Sequence, residues 1–296
     1  MTFGQTIRWF RVYVPKTLPD KAPVVVLLHG GGQSMRKIFQ EAAGGTREWP
    51  RLAESEGFLL LTPNGTNPRT NDTKGDQQNW NDLRPVNSNR DSQADDVGFI
   101  RELLRWTETH YSMDSKRVYV TGASNGGMMT FRLLIEAPKL FAAGAAFIAN
   151  LPEDRSQYVA PRRTTPLMIA NGTKDPLVKW EGGNVAGNRG RTLSTDATVE
   201  WWTAANKTDT ARKTTETLPD RDPGDGCRLH KTVYPAAPGG ASVLFYRVEG
   251  GGHAMPSISH PLADKPLIRR FIGPVCRDVE GAKLAWDFFK DKTRSR

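Results

Sequence analysis

Apolar residues along the chain fall into short runs of two kinds. Residues 23–28 (PVVVLL), 58–61 and 166–170 (PLMIA) are apolar on both faces, as strands buried inside a sheet are. Residues 141–148 form another such run, built of small side chains. In residues 6–14, Phe10, Val12 and Val14 alternate with polar neighbours and the run stops at Pro15, which predicts a half-buried edge strand. Between these runs the apolar period is helical. It covers residues 48–56, ended by Gly57, then residues 94–110, with Val97, Ile100, Leu103 and Leu104, and then residues 195–205. Residues 281–290 (GAKLAWDFFK) close the chain as an amphipathic helix facing inward with Leu284, Ala285, Phe288 and Phe289. Residues 228–234 and 242–248 read as two further strands joined by residues 235–240. Alternation of strand and helix predicts an α/β class with a mostly parallel central sheet and helices on both faces. Asp95 and Asp96, in the first turn of the second helix, read as acids that favour its dipole.

Within this pattern, residues 117–131 (RVYVTGASNGGMMTF) run from a β-branched strand into a helix through G-x-S-x-G. That motif is the nucleophile elbow of α/β-hydrolases, and it places Ser124 on a strained turn whose close neighbours must be small, hence Gly122, Gly126 and Gly127. The helix that follows points its free N–H groups at the reacting centre. Directly after the strand at 23–28 comes His29-Gly30-Gly31-Gly32-Gln33, an HGGG loop of the kind that offers a backbone N–H to a substrate oxyanion. A phosphate-binding P-loop would end in Gly-Lys-Ser/Thr, which is absent. Asp175 follows the strand at 166–170, where this fold keeps its acid; Asp154 and Asp196 follow no strand directly. His110 ends a helix, His230 lies in a strand and His260 precedes Pro261, which leaves His253, after the last strand in Glu249-Gly250-Gly251-Gly252-His253, as the base. The order Ser124, Asp175, His253 predicts a nucleophile, acid and base, with the N–H groups of Gly31 and Asn125 as the oxyanion hole.

Composition narrows the function classes. The chain has 296 residues, 38% hydrophobic and 25% charged, an ordinary globular balance with room for a full core. No apolar run approaches the roughly 20 residues of a membrane span, so no membrane partner is expected. Net charge is +9, but Lys and Arg are scattered, with no basic stripe interleaved with aromatics. That speaks against nucleic acid and for a solvated basic surface, attracted at most to acidic polysaccharide. The first fifteen residues have no apolar leader core and no small-residue cleavage site, as in a cytoplasmic chain or one whose leader has been removed. Cys227 and Cys276 are either free thiols or one bridge. A bridge would close a loop of about 50 residues, add roughly 4 kcal/mol and indicate export. The carboxylates lack calcium-loop spacing, and neither metal nor organic cofactor is expected.

Two long loops, residues 63–93 and 180–195, flank the candidate site within one catalytic domain spanning residues 1–296. Trp80 is the one large apolar residue of the first; it either walls a substrate cleft or anchors the loop to the core. Trp180 opens the second, glycine-rich loop. Trp80, Trp180 and Gln33 are the candidate substrate contacts.

Taken together, LLHGGGQ, GASNGGMM, NGTKDPLV and GGGHAMP, with the terminal WDFFK, resemble the polyhydroxybutyrate depolymerase and feruloyl esterase family of secreted bacterial and fungal esterases. The resemblance runs over roughly residues 11–290. It implies the α/β-hydrolase fold and a secreted or periplasmic serine esterase. Its substrates would be feruloyl or other hydroxycinnamoyl esters of plant polysaccharide, or hydroxyalkanoate polyesters. Acetyl xylan is the alternative ester. Ser124, Asp175 and His253 match the family's triad, and Gly31 and Asn125 its oxyanion positions. Gly31 stands where such depolymerases often carry Cys. A prolyl-oligopeptidase-like peptidase shares the elbow but usually carries a large N-terminal propeller, whereas here the first strand starts within ten residues. A non-catalytic binding module of this fold normally lacks a triad member, and none is missing.

Overall fold

The computed structural model describes residues 1–84, 92–260 and 266–294. Nine strands form one sheet: β1 (Phe10–Tyr13), β2 (Ala22–Leu28), β3 (Leu59–Pro63), β4 (Met113–Ala123), β5 (Ala143–Phe147), β6 (Leu167–Gly172), β7 (Thr214–Thr217), β8 (Arg228–Tyr234) and β9 (Val243–Glu249). Their spatial order is β7-β8-β9-β6-β5-β4-β2-β3-β1. From β9 to β3 every pairing is parallel, while β1, β7 and β8 add antiparallel margins. The edge strand expected over residues 6–14 is shorter. Only Phe10–Tyr13 joins the sheet, because Thr6–Ile7 pairs instead with Thr2–Phe3 in a separate ribbon. The edge strand β7 carries no apolar signal, since all four of its residues are exposed.

Successive residues of the buried strands face opposite ways, which builds two cores. Val24, Val26, Leu59, Leu61, Val118 and Val120 face α2 (Asp96–His110), α3 (Asn125–Glu136) and α4 (Thr195–Ala205). Val25, Leu27, Leu60 and Tyr119 face α1 (Trp49–Glu56) and α6 (Gly281–Phe289). Helices thus cover both faces, as the alternation of periods predicts. On the second face Phe58 stacks on Trp286 with ring centroids 4.4 Å apart, and Tyr119 stacks on Phe289 at 4.9 Å. The short helix α5 (Pro266–Ile272) is preceded by a proline-rich stretch whose sequence carries no helical period.

Asp95 and Asp96 play different parts from the shared one expected of them. Asp95 caps α2, accepting from the Gly98 N–H at 2.8 Å. Asp96 is fully buried and accepts from the Arg8 guanidinium at 2.6 Å and from the Asn81 N–H at 2.8 Å. Burial pushes the Asp96 carboxyl upward, and the Arg8 charge works against it. Arg8 also donates to the Asn64 carbonyl and lies over the Phe99 ring, so one ion pair ties the N-terminal segment, the loop after β3 and α2 together. Removing one partner strands the other charge in the interior. The variant Arg8→Met is therefore expected to lose about 3–5 kcal/mol by chemical denaturation, and Arg8→Met with Asp96→Leu distinctly less. Equal losses would show that the pair acts only through packing.

Candidate active site

The C-terminal ends of the parallel strands share one edge of the sheet, and the residues expected as nucleophile, acid, base and glycine loop are delivered there. Strand β2 leads into His29 and the glycine loop, β4 into Ser124, β6 into Asp175 and β9 into His253. Ser124 has φ 57° and ψ −124°, a conformation that a side-chain-bearing residue holds only when its surroundings fix it. Its N–H donates to the Phe147 carbonyl and its carbonyl accepts from Met128, which ties the turn from β4 into α3 to the end of β5 and to the first turn of the helix. Close packing explains the glycines: a Cβ on Gly126 would collide with the Leu28 carbonyl oxygen, and one on Gly122 would lie 2.5 Å from the Gly126 carbonyl carbon.

His253 and Asp175 meet through Nδ1 and Oδ2 at 2.7 Å. The other Asp175 oxygen accepts from the Leu177 and Val178 N–H groups, both at 2.8 Å. Three donors thus orient one buried carboxylate, whose side chain is 2% exposed. Ser124 and His253 line the same cavity of about 390 Å³. Asp154 and Asp196 stay out of the site. The first caps a short turn through Ser156, and the second accepts from the Trp180 indole.

The glycine loop and the start of α3 converge from the other side. The Gly30 N–H donates to Gln33 Oε1, the Gln33 N–H to the Gly30 carbonyl, and the Gly32 N–H to Asn79 Oδ1 at 2.7 Å. Among the described residues, that leaves the Gly31 N–H without a protein acceptor. As the first residue of α3, Asn125 has no helical acceptor for its own N–H. A Cβ on Gly31 would lie 3.5 Å from Asn125 Cβ, so the two donors are neighbours, and both residues line a small pit of about 20 Å³ beside Ser124. His29 is the loop's buttress. Its Nδ1 lies 2.8 Å from the Gly30 carbonyl and its Nε2 accepts from the Gly65 N–H at 3.0 Å. Complete burial pushes its pKa down to about 4 against the pull of that carbonyl, so the ring is neutral at physiological pH.

Two of the three candidate substrate contacts are corrected by the structure. Trp80 is 1% exposed; its indole donates to the His29 carbonyl at 2.9 Å and its ring packs against the His29 ring, so it anchors the loop. Trp180 packs on Phe245 and under Arg247, away from the cavity. Only Gln33 lines it. The walls are instead aliphatic, from Leu177, Val178, Val185, Met255, Ile268 and Ile272, with His260 and Arg189 at polar positions. Leu177 and Val178 lie in the NGTKDPLV motif and Met255 in GGGHAMP, whereas Val185, Arg189, His260, Ile268 and Ile272 lie in no motif. Ile268 and Ile272 belong to the unforeseen α5, and Val185 and Arg189 lie in a glycine-rich stretch without periodicity. Residues 85–91 of the first long loop lie outside the described residues. Cys227 and Cys276 are joined by a disulfide.

A family model described as Phospholipase/Carboxylesterase matches residues 12–206. The chain is 28% identical over 286 residues to "Putative esterase NocK" of Nocardia uniformis subsp. tsuyamanensis, which covers 92% of this chain and 75% of that protein. Over 135 residues it is 34% identical to Feruloyl esterase B of Neurospora crassa, covering 46% of this chain and 41% of that protein, less than half its length. The fold superposes on the acetyl xylan esterase from Aspergillus awamori with a TM-score of 0.58 at 16% identity, covering 95% and 93% of the two chains.

Two outcomes follow from the geometry. Because Gly126 has no room for a Cβ, Gly126→Ala is expected to shift the elbow and lower kcat/KM for an activated ester about 100-fold, with unchanged activity excluding the steric argument. His29 binds fewer protons folded than unfolded, so its contribution is complete above pH 6.5 and is lost as pH falls toward 4. That difference corresponds to roughly 3 kcal/mol. Urea unfolding of His29→Gln should show a flatter stability profile between those pH values than the parent protein, and parallel profiles would assign the acid sensitivity elsewhere.

Proposed function

The chain belongs to the phospholipase/carboxylesterase family and has its α/β-hydrolase fold; from that premise we propose that it hydrolyses carboxylic esters through an acyl-enzyme on Ser124. The observation that carries the proposal is the hydrogen-bonded His253–Asp175 pair sharing one cavity with a serine held at positive φ. Ser124 Oγ attacks the ester carbonyl carbon while His253 Nε2 takes its proton. Asp175 holds Nδ1–H and stabilises the imidazolium. The N–H groups of Gly31 and Asn125 receive the oxyanion, each such donor contributing about 3 kcal/mol to barrier lowering. Collapse of the tetrahedral intermediate releases the alcohol, protonated by His253, and water repeats the sequence to free the acid. Residues 1–296 act as one catalytic unit, and the chemistry needs neither metal nor organic cofactor.

Substrate preference follows from the walls. Aliphatic side chains line the cavity, and among the described lining residues there is no Trp, Tyr or Phe. This supports a hydroxyalkanoate-type or other aliphatic acyl group. Hydroxycinnamoyl esters are the second reading, supported by the likeness to Feruloyl esterase B. The Cys227–Cys276 bridge supports an oxidising compartment, secreted or periplasmic. Among the described residues no helix is long and apolar enough to cross a membrane.

Ser124→Ala is expected to abolish turnover of an activated ester without altering thermal unfolding, and Asp175→Asn to lower kcat about 10⁴-fold. Most activity surviving in Ser124→Ala would overturn the assignment. A soluble hydroxybutyrate oligomer should be hydrolysed with higher kcat/KM than methyl ferulate in parallel assays; the reverse order would favour the hydroxycinnamoyl reading.

A further inference from the structure

Strand β6 breaks its own apolar pattern one residue before its end. Leu167, Met168, Ile169 and Ala170 are buried and apolar, and then Asn171 follows, buried as well. A buried carboxamide is costly unless its polar atoms find partners, and those of Asn171 do. Its Oδ1 accepts from the Ala149 N–H at 3.0 Å, and its Nδ2 donates to the Ala149 carbonyl at 3.0 Å. Nδ2 also lies 2.9 Å from Asn150 Oδ1 and 3.1 Å from Thr195 Oγ1. The two bonds to Ala149 fix which way the amide faces, because that backbone unit offers one donor and one acceptor.

What the carboxamide grips is a strained turn. Ile148, the residue before Ala149, has φ 47°. A β-branched residue holds that left-handed conformation only where its surroundings impose it. Asn171 grips the chain after Ile148, and the Ile148 N–H itself donates to the Ala170 carbonyl at 2.8 Å. The turn touches the segments that carry both Ser124 and Asp175. The Phe147 carbonyl accepts from the Ser124 N–H, and a Cβ on Gly127 would lie 2.7 Å from Ala149 Cβ. Asn150 Nδ2 reaches the Lys179 carbonyl, in the loop after Asp175, at 3.3 Å. The Ile148 side chain lines the cavity together with Ser124 and His253. Because φ sets the direction of the Cα–Cβ bond relative to the preceding peptide, relaxing it to a negative value would redirect that side chain.

We propose that Asn171 is a positioning residue: by clamping Ala149 it holds Ile148 in the left-handed conformation, and so keeps the Ile148 side chain as the wall that limits the length of the group seated beside Ser124. The proposal rests on the assignment of Ser124 as nucleophile. It concerns the shape of the cavity and not the chemical step. Either side of the ester can supply the group that meets this wall, the acyl chain or the alkyl chain of the alcohol, and two substrate series separate them.

The first series compares p-nitrophenyl hexanoate with p-nitrophenyl acetate, and the second compares hexyl acetate with ethyl acetate. Within each series the ratio of kcat/KM values, long over short, is read for the parent protein, Ile148→Ala, Asn171→Leu and the double variant. Leucine has the branched shape of asparagine but neither donates nor accepts. Should Asn171→Leu not fold, Asn171→Ser, whose hydroxyl keeps part of the bonding, is read in its place. Ile148→Ala is expected to raise the ratio about tenfold in at least one series, and that series identifies the side of the ester. The Asn171 variant should raise the ratio in the same series. In the Ile148→Ala background it should leave the ratio unchanged, because the side chain it positions is gone. Three results would each overturn the inference alone: ratios unchanged in Ile148→Ala, an Asn171 variant that lowers kcat/KM equally for long and short esters, or an Asn171 effect on the ratio that is the same with and without the Ile148 side chain. No turnover of any of these esters by the parent protein would overturn the nucleophile assignment, and this inference with it.

Discussion

The site depends on one close approach: α3 begins so near the end of β2 that Gly126 lies against the carbonyls of Leu28 and His29. No side chain fits between them. That contact brings the glycine loop and the serine turn together although they are distant in sequence, and it makes the N–H groups of Gly31 and Asn125 neighbours. The positive φ of Ser124 is the backbone's share of the arrangement. It is maintained by hydrogen bonds on both sides of the serine, to Phe147 and from Met128, within a sheet whose strands are buried on both faces.

Around this contact the long loop after β3 works as a brace. Gly65 donates to His29, Asn79 accepts from Gly32, the Trp80 indole donates to His29, and the Asn125 side chain accepts from the Trp80 N–H and donates to the Trp80 carbonyl and to Asp82. Asp82 pairs with Arg84, which holds the Arg189 carbonyl. A continuous polar chain therefore runs from the helix behind the serine to the ribbon at the mouth of the cleft. The fully buried Arg8–Asp96 pair fixes the outer end of the brace through Asn64 and Asn81. Because most of these links are buried polar groups with partners, losing one leaves another unsatisfied, which ties residues 64–84 down despite their lack of regular structure.

The sequence discloses those parts of the molecule that obey a period or a motif. The buried strands, the helices with 3.6-residue patterning, Ser124, Asp175 and His253 all announce themselves, because strand burial and the elbow restrict residue choice locally. The cavity walls do not. Ile268, Ile272 and Val185 reach the cleft from segments whose own patterning is weak, and only tertiary packing places them there. Trp80 and Trp180 mislead for a related reason. A large aromatic in a polar loop needs burial somewhere, and sequence does not say whether ligand or core provides it. Here the core does, because an indole N–H also needs an acceptor, and the His29 carbonyl and the Asp196 carboxylate supply them.

The histidine arm shows how the same logic reaches the most distant part of the site. His253 follows three glycines, a segment with little conformational preference of its own. Its position is imposed by neighbours: the Gly252 N–H donates to Pro274, the His253 N–H to Ile272, and the Ser257 N–H to Cys276. The segment that follows α5, residues 273–276, is in turn tethered to the start of β8 by the Cys227–Cys276 bridge, across a separation of 49 residues. In the chain-entropy model a loop of that size contributes roughly 4 kcal/mol. That contribution falls on the segment carrying His253, whereas Ser124 and the N–H groups of Gly31 and Asn125 are held by the buried sheet itself. The two halves of the site are therefore secured by different means, one by close packing and the other by a covalent clasp on an otherwise permissive loop.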